Sequence, residues 1–390
     1  MKTVCQKDMC TGCMACVEVC PAKAISVKDS LKAYNAVISV EDCINCNLCS
    51  RTCQVNQPLT LSKPIEWYQG WAVDSAIRRL GSSGGVASEL AREFIVLGGL
   101  VCTCVYKNGD FSFQFIQKQQ ELSKISGSKY VKSNPFGIYK KIKELLAKNK
   151  RVLFIGLPCQ VAALKKVVGI KLEKQLTTVD LICHGTPSPQ ILNLYLEQYG
   201  KSLKNINNIK FREKNNFSLV KKNDTDNIYV PVNGKREMDQ YSIAFLNRAC
   251  YTENCYDCQY AKLERVSDIT LGDSWGSELD VTEKSKGISL ILCQSVKGLD
   301  LLKKCNIKLL DVDIDNAVEN NHQLHSPAAM PKNRDIFLEK LHDGKKFNNL
   351  VWRYFTINCI KQKIKKYLIK LHLMGGEKIT YRISLNVNKN

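Results

Sequence analysis

No stretch of this sequence is apolar for long enough to cross a bilayer. The longest largely apolar run goes from Phe94 to Tyr106 and is interrupted by Gly98, Gly99 and Thr103, well short of the ~20 residues a spanning helix needs. The opening MKTVCQKDMC has no apolar segment of the kind a secretory signal requires. These absences lead us to expect a soluble, cytoplasmic protein. Acids are scarce as well: 37 Asp and Glu stand against 57 Lys and Arg, for a formal charge of +20. That excess suits an acidic partner, an anionic substrate or a membrane surface. No nucleic-acid-binding module is recognisable, so nucleic acid is not expected as a partner.

Cysteine, by contrast, is abundant. There are 19 in 390 residues, most of them at metal-ligand spacings rather than in the scatter of a secreted disulfide scaffold, which points to a reducing compartment. With 44% apolar residues the chain is long enough for two or three globular domains.

Residues 1–55 are cysteine-dense and repeat internally: CTGCMACVEVCP (10–21) recurs as CINCNLCSRTCQ (43–54). AISV (24–27) and AVISV (36–40) lie between the repeats and could pair as a hairpin. Residues 56–68, with two prolines, read as a linker. From 69 to about 335, strands and helices alternate. VASELAREFIVL, LVCTCVY, RVLFIG, TTVDLIC, a helix capped by Ser188 and Pro189, DITLG and ISLILC follow one another. This predicts an α/β domain with a partly parallel sheet. Residues 336–390 read as a basic helical tail, in which Ile360, Ile364, Tyr367, Leu368 and Leu371 share a face beside five lysines. That helix either docks on its own domain or meets a membrane surface or partner.

C-x2-C-x2-C-x3-C occurs twice. In that bacterial ferredoxin pattern three cysteines wrap one 4Fe-4S cubane while the fourth reaches across to the other. The first cluster would take Cys10, Cys13, Cys16 and Cys53, and the second Cys43, Cys46, Cys49 and Cys20. Zinc has no use for crossed fourth ligands. Gln54 follows Cys53 where Pro21 follows Cys20, which predicts a looser chain there, and Cys5 lies outside the pattern as a free thiol.

In CYTENCYDCQY (250–260) three further cysteines fall close together. Cys159, in GLPCQVAAL, and Cys183, in LICHG, follow successive strands whose carboxyl ends would line one sheet edge. With Cys255 and Cys258 they make four, enough for a third 4Fe-4S cluster. Taken singly, they read as buried small hydrophobes or half a zinc knuckle. Cys250 is the spare. IRRLGSSGGVASEL (77–90) places Ser82, Ser83, Gly84 and Gly85 before a helix, where backbone N–H groups meet phosphate well. It is not G-x-G-x-x-G, no P-loop lysine follows, and a plain helix start reads equally well. Because clusters move single electrons, a flavin is the natural converter to two.

GSSGGV, SKYVKSN (128–134), GLPCQVAAL, DLICHGTPSP and the C-x2-C followed by RVSDITLGDSWG together resemble the coenzyme F-420 hydrogenase/dehydrogenase beta subunit family over roughly 66–330, with a dicluster ferredoxin domain attached. The resemblance implies an FAD-binding α/β domain with its own 4Fe-4S cluster on Cys159, Cys183, Cys255 and Cys258. It further implies that Ser82, Ser83, Gly84 and Gly85 lie near the flavin or substrate, and that Lys129 and Tyr130 face the same cleft. His184 would be a catalytic proton donor or a structural histidine; Asp273 and Trp275 would face the flavin or close a turn. Three clusters and a flavin dinucleotide remove roughly 8 units of the positive charge. The function expected is oxidoreduction, from a ferredoxin- or flavodoxin-like donor through clusters and FAD to an organic substrate or deazaflavin-type coenzyme. The alternative is an electron-transfer subunit docking on a redox enzyme subunit.

Overall fold

The computed structural model describes residues 2–222, 229–233 and 238–371. The N-terminal region is built on a three-stranded antiparallel sheet, β1 (Lys2–Thr3), β2 (Ile25–Asp29) and β3 (Tyr34–Ile38), in the order β1-β3-β2. The expected hairpin is β2 with β3, in register from Ile25 opposite Ile38 to Asp29 opposite Tyr34. Two short helices, α1 (Ala15–Val19) and α2 (Leu48–Thr52), carry the third cysteines of the repeats, Cys16 and Cys49. Both repeats use the same backbone. Gly12 and Asn45 are left-handed at φ 68° and 55°, Met14 and Asn47 at 62° and 58°, and Cys20 and Cys53 leave their helices extended.

The large domain is an eight-stranded mixed sheet. It uses β4 (Glu66–Ala72), β5 (Leu100–Lys107), β6 (Asp110–Ile116), β7 (Val152–Gly156) and β8 (Leu176–Leu181). A side sheet of β9 (Ile209–Glu213), β10 (Asn216–Lys222) and β11 (Tyr229–Pro231) intervenes before β12 (Ile269–Asp273), β13 (Ser289–Cys293) and β14 (Ile307–Leu310). The main order is β14-β4-β13-β12-β8-β7-β5-β6, and β12, β8, β7 and β5 run parallel. β4 begins within the stretch read as a linker.

Side chains alternate between two cores along a buried strand, as the period of two requires. On β7, Val152 and Phe154 join the core under α4 (Ile138–Ala147) and α5 (Pro158–Val168), while Leu153 and Ile155 join that under α3 (Val86–Val96). A further core gathers Tyr195 of α6 (Pro189–Glu197), Phe211 of the side sheet, Tyr241, and Phe337 and Phe347. The last two come from α7 (Arg334–His342) and α8 (Phe347–Tyr354). The first part of the expected tail is therefore core of the large domain. α9 (Thr356–Lys370) joins that core at Cys359 and then leaves it, with Ile360, Ile364 and Tyr367 exposed, as is Leu371 just past its end. Residues 372–390 of that tail lie outside the described residues.

Candidate redox centre

The parallel strands dictate where the site lies. Cys159 sits in the first turn of α5, directly after β7, and Cys183 follows β8 by two residues. Asp273 closes β12 opposite Ser289, the first residue of β13. Gly84 N donates to Ser289 Oγ at 3.0 Å and Gly84 O accepts from Ala72 N at 2.9 Å. The glycine-serine loop is thus pinned to the same carboxyl edge, where crevices of open α/β sheets form. A Cβ on Gly84 would lie 2.4 Å from Gly70 O, so that approach needs glycine.

The N-terminal cysteines fall into two groups. Cys10, Cys13, Cys16 and Cys53 line one cavity with apolar side chains around them; Cys20, Cys43, Cys46 and Cys49 line a second. Neither lining includes a carboxylate or an imidazole, a donor set that fits the all-thiolate coordination of a cubane. The first group is buried, whereas Cys46 is exposed and its three companions half-buried. Among the described residues no three His, Cys, Asp or Glu close tightly enough to hold a single metal ion. Cys5, expected outside the pattern, is buried in the first cavity. Hydrogen bonds to Cys10 and Cys53 push its thiol up and pull theirs down.

Cys159 lies within electrostatic reach of Cys183, Cys258 and Cys13, and Cys183 within reach of Cys255 and Cys258. Burial raises the thiol of Cys159 well above its usual range and that of Cys258 to about 11. Thr252 Oγ1 and Asn254 Nδ2 lie 3.5 and 3.7 Å from Cys255 Sγ, which equips that sulfur with hydrogen-bonding neighbours. Cys250 is elsewhere, fully buried in the aromatic core with Tyr241, Phe245 and Tyr251.

Cys13 also belongs to the core beneath α4 and α5, alongside Cys159 and Cys258, so the first cavity abuts the third cysteine group. Polar contacts hold the two regions together. Glu18 accepts from Lys140 N at 2.9 Å, near the start of α4, and Ser188 Oγ donates to Asp29 at 2.5 Å. Gln54 corrects the expectation of a loosened chain: it is fully buried, accepts from Tyr260 Oη at 2.5 Å and from Gln259 at 2.6 Å, and donates to Thr11 at 3.0 Å. Proline there would supply none of these bonds.

At the glycine-serine loop, Ser82 Oγ accepts from Ser128 N at 2.7 Å and Ser83 Oγ donates to Ile288 O at 2.7 Å. Gly85, at φ 81°, caps α3 without a side-chain bond. Lys129 spends its ammonium on Ile125 O and Gly127 O, while Tyr130 stacks on Phe245 at 4.4 Å. The group that joins these parts is Arg212, which sequence reasoning missed. It makes a bidentate pair with Asp273 at 2.8 Å, donates to Ser82 O at 2.8 Å and to Tyr130 Oη at 3.2 Å. Trp275 lies 6.0 Å from its guanidinium. Lys214 Nζ, also missed, donates to Arg78 O, Gly81 O and Ser83 O within 2.6–2.8 Å. Arg212 is charge-paired with Asp273, whereas no carboxylate pairs with Lys214 among the described residues, and one such cation near a helix start without a side-chain cap fits a phosphate-bearing group. No local motif marks either residue, because both come from a side sheet some 130 residues downstream. His184 keeps solvent contact at this edge. Surrounding protein lowers its pKa; Asp273 opposes that shift, while Arg212, Arg248 and His322 reinforce it.

Residues 149–313 match the family described as the C terminus of the coenzyme F420 hydrogenase/dehydrogenase beta subunit, and residues 9–57 match the 4Fe-4S dicluster domain. The two matched segments lie on one chain. The F subunit of the F420H2 dehydrogenase of Methanosarcina mazei is 25% identical over 191 residues, covering 46% of this chain and 54% of the relative. The aligned stretch thus spans about half the length of that curated protein. In the F420-reducing NiFe hydrogenase complex of Methanosarcina barkeri, one chain aligns at 18% identity over 67% of this chain and 91% of its own, with a TM-score of 0.44. Both family matches involve residues of the site: the dicluster segment carries the first two cysteine groups, and the beta-subunit segment carries the third, His184, Arg212 and Asp273.

Proposed function

We propose that the chain is an iron-sulfur flavoprotein oxidoreductase that takes electrons from a low-potential ferredoxin- or flavodoxin-like donor and reduces an organic substrate or deazaflavin-type coenzyme. The carrying observation is the order of the cysteine groups, from one at solvent, through one buried against the large domain, to one at the carboxyl sheet edge. Cys20, Cys43, Cys46 and Cys49 would hold the outer 4Fe-4S cluster, Cys10, Cys13, Cys16 and Cys53 the inner, and Cys159, Cys183, Cys255 and Cys258 a third. FAD would meet the start of α3 at the preceding loop, Ser82 to Gly85. Bound there, clusters supply one-electron transfer and the flavin pairs electrons for two-electron chemistry.

The protein's own share is positional. Arg212 ties the loop, Tyr130 and Asp273 into one wall, and Lys214 fixes the carbonyls of Arg78, Gly81 and Ser83. His184 is the proposed proton-exchanging group. Held towards its neutral form, it must take up a proton from solvent, which it contacts, before passing one to a reduced substrate. Anaerobic purification with iron, sulfide and flavin assays tests the reading. About 12 irons with flavin supports it; about 8 irons without flavin overturns both the third cluster and the enzyme.

A second reading, an electron-transfer subunit docked on a catalytic partner, is favoured by the exposed apolar face of α9. That face with the lysines beside it would suit an anionic membrane surface; among the described residues no helix is long and apolar enough to cross one. Removal of residues 360–390 should leave reduction of a small acceptor intact if the chain is itself the enzyme. Lost complex formation with normal iron content would favour the electron-transfer role.

A further inference from the structure

Lys132 is buried, 6% exposed, in the seam between the two cysteine-bearing regions. Its ammonium donates to Thr11 O at 3.0 Å, inside the first motif, and lies 5.1 Å from the centre of the Tyr34 ring. Among the described residues no carboxylate pairs with it. An uncompensated buried ammonium costs several kcal/mol, so its counter-charge must come from something else. Its backbone shows what surrounds it. Lys132 N donates to Pro187 O at 2.9 Å, on the loop that follows Cys183, and Ser133 Oγ accepts from Gln160 at 3.0 Å, next to Cys159. Thr11 is flanked by Cys10 and Cys13. Lys132 acts electrostatically on Cys10 of the first cysteine group and on Cys159 and Cys183 of the third, favouring the thiolate form of each.

The first motif is shaped for this side chain. A Cβ on Gly12 would stand 3.1 Å from Lys132 Cδ and 3.2 Å from Tyr34. At the equivalent left-handed position of the second motif there is Asn45, with a full side chain.

We propose that Lys132 is the electrostatic link between the inner ferredoxin cluster and the cluster on Cys159, Cys183, Cys255 and Cys258. This rests on the cluster assignment made above. Each four-thiolate cubane carries about −2 when oxidised and gains a further negative charge on reduction. A fixed positive charge between two of them stabilises the reduced form of each, raises both potentials together and lowers the cost of an electron on either side of the seam.

The test is an EPR-monitored redox titration of the anaerobically prepared full chain, with iron and sulfide counted first. Lys132→Met and Lys132→Gln, the latter keeping a donor for Thr11 O, should hold the wild-type iron. Both should shift two of three midpoints to more negative values, lowering the reduced-to-oxidised ratio of those clusters at fixed potential by about tenfold or more. The midpoint of the solvent-facing cluster should stay put, and Lys132→Arg should resemble wild type. If Lys132→Met loses iron, Lys132→Gln decides alone. Full iron with unmoved midpoints overturns the link and leaves the cluster assignment standing. A wild-type content of about 8 irons removes the third cluster and this link with it.

Discussion

The two C-x2-C-x2-C-x3-C motifs share one backbone but occupy different surroundings. Both run through left-handed residues into a five-residue helix and end on an extended cysteine. The first is pressed against the large domain: its first three cysteines are buried, Glu18 reaches the start of α4, and Lys132 enters over Gly12. The second stands at solvent, where Asn45 and Asn47 take the left-handed positions and Cys46 is exposed. Asparagine tolerates that conformation when its side chain has room; glycine is needed when a neighbour fills the space. Cysteine spacing governs which thiols can share a cluster, whereas the surroundings govern solvent access, and hydrogen bonding and exposure tune cluster potential.

The sharpest way to break this comparison is to remove one ligand from each group. Cys16→Ser and Cys46→Ser should each lose about 4 irons, the content of one cubane. Cys46→Ser should leave the buried cluster reducible by small mediators, and EPR of the two proteins should show complementary missing signals. Identical remaining signals would mean that the groups are not separate sites. Gln54→Ala should come next in size. Removing the carboxamide strands the Tyr260 hydroxyl inside the seam and should cost about 1–3 kcal/mol in denaturant unfolding, with iron content unchanged. Smaller again is the contrast between Gly12→Ala and Asn45→Ala. A Cβ at Gly12 adds left-handed strain of about 1–2 kcal/mol to the crowding by Lys132 and Tyr34. Asn45→Ala adds no crowding, so equal melting temperatures for the two variants would show that the first motif is not tightly abutted. Cys250→Ser should have the smallest effect on the clusters, keeping all the iron. Loss of one cluster in Cys250→Ser but not in Cys159→Ser would make Cys250 the ligand instead.

Much of the fold is legible in local pattern. The β2–β3 hairpin, α3 after its glycine loop, β7, β8, and α6 with its Ser188 cap all lie within two residues of their expected limits, because hydrophobic period and capping chemistry act over a single turn or pleat. The site is less legible. Cys5 has no spacing partner, yet the β1–β3 pairing brings it into the first cavity. Gln54 reads as a departure from the motif and serves as a pin between regions. α7 and α8 read as the start of a basic tail because their charge is visible and their burial is not; Phe337, Leu341, Phe347 and Val351 close the aromatic core.

What the sequence alone determined is the alternation of strands and helices and the grouping of thiols set by two- and three-residue spacings, since such spacings leave the backbone few conformations. Tertiary structure alone decided that one ferredoxin cavity is buried and the other open, that Arg212 crosses from a side sheet to join Ser82, Tyr130 and Asp273, and that Lys132 lies between two cysteine groups. Those contacts join residues 61 to 130 positions apart. No local periodicity encodes such pairs, and each exists only because sheet order and domain docking bring the segments together.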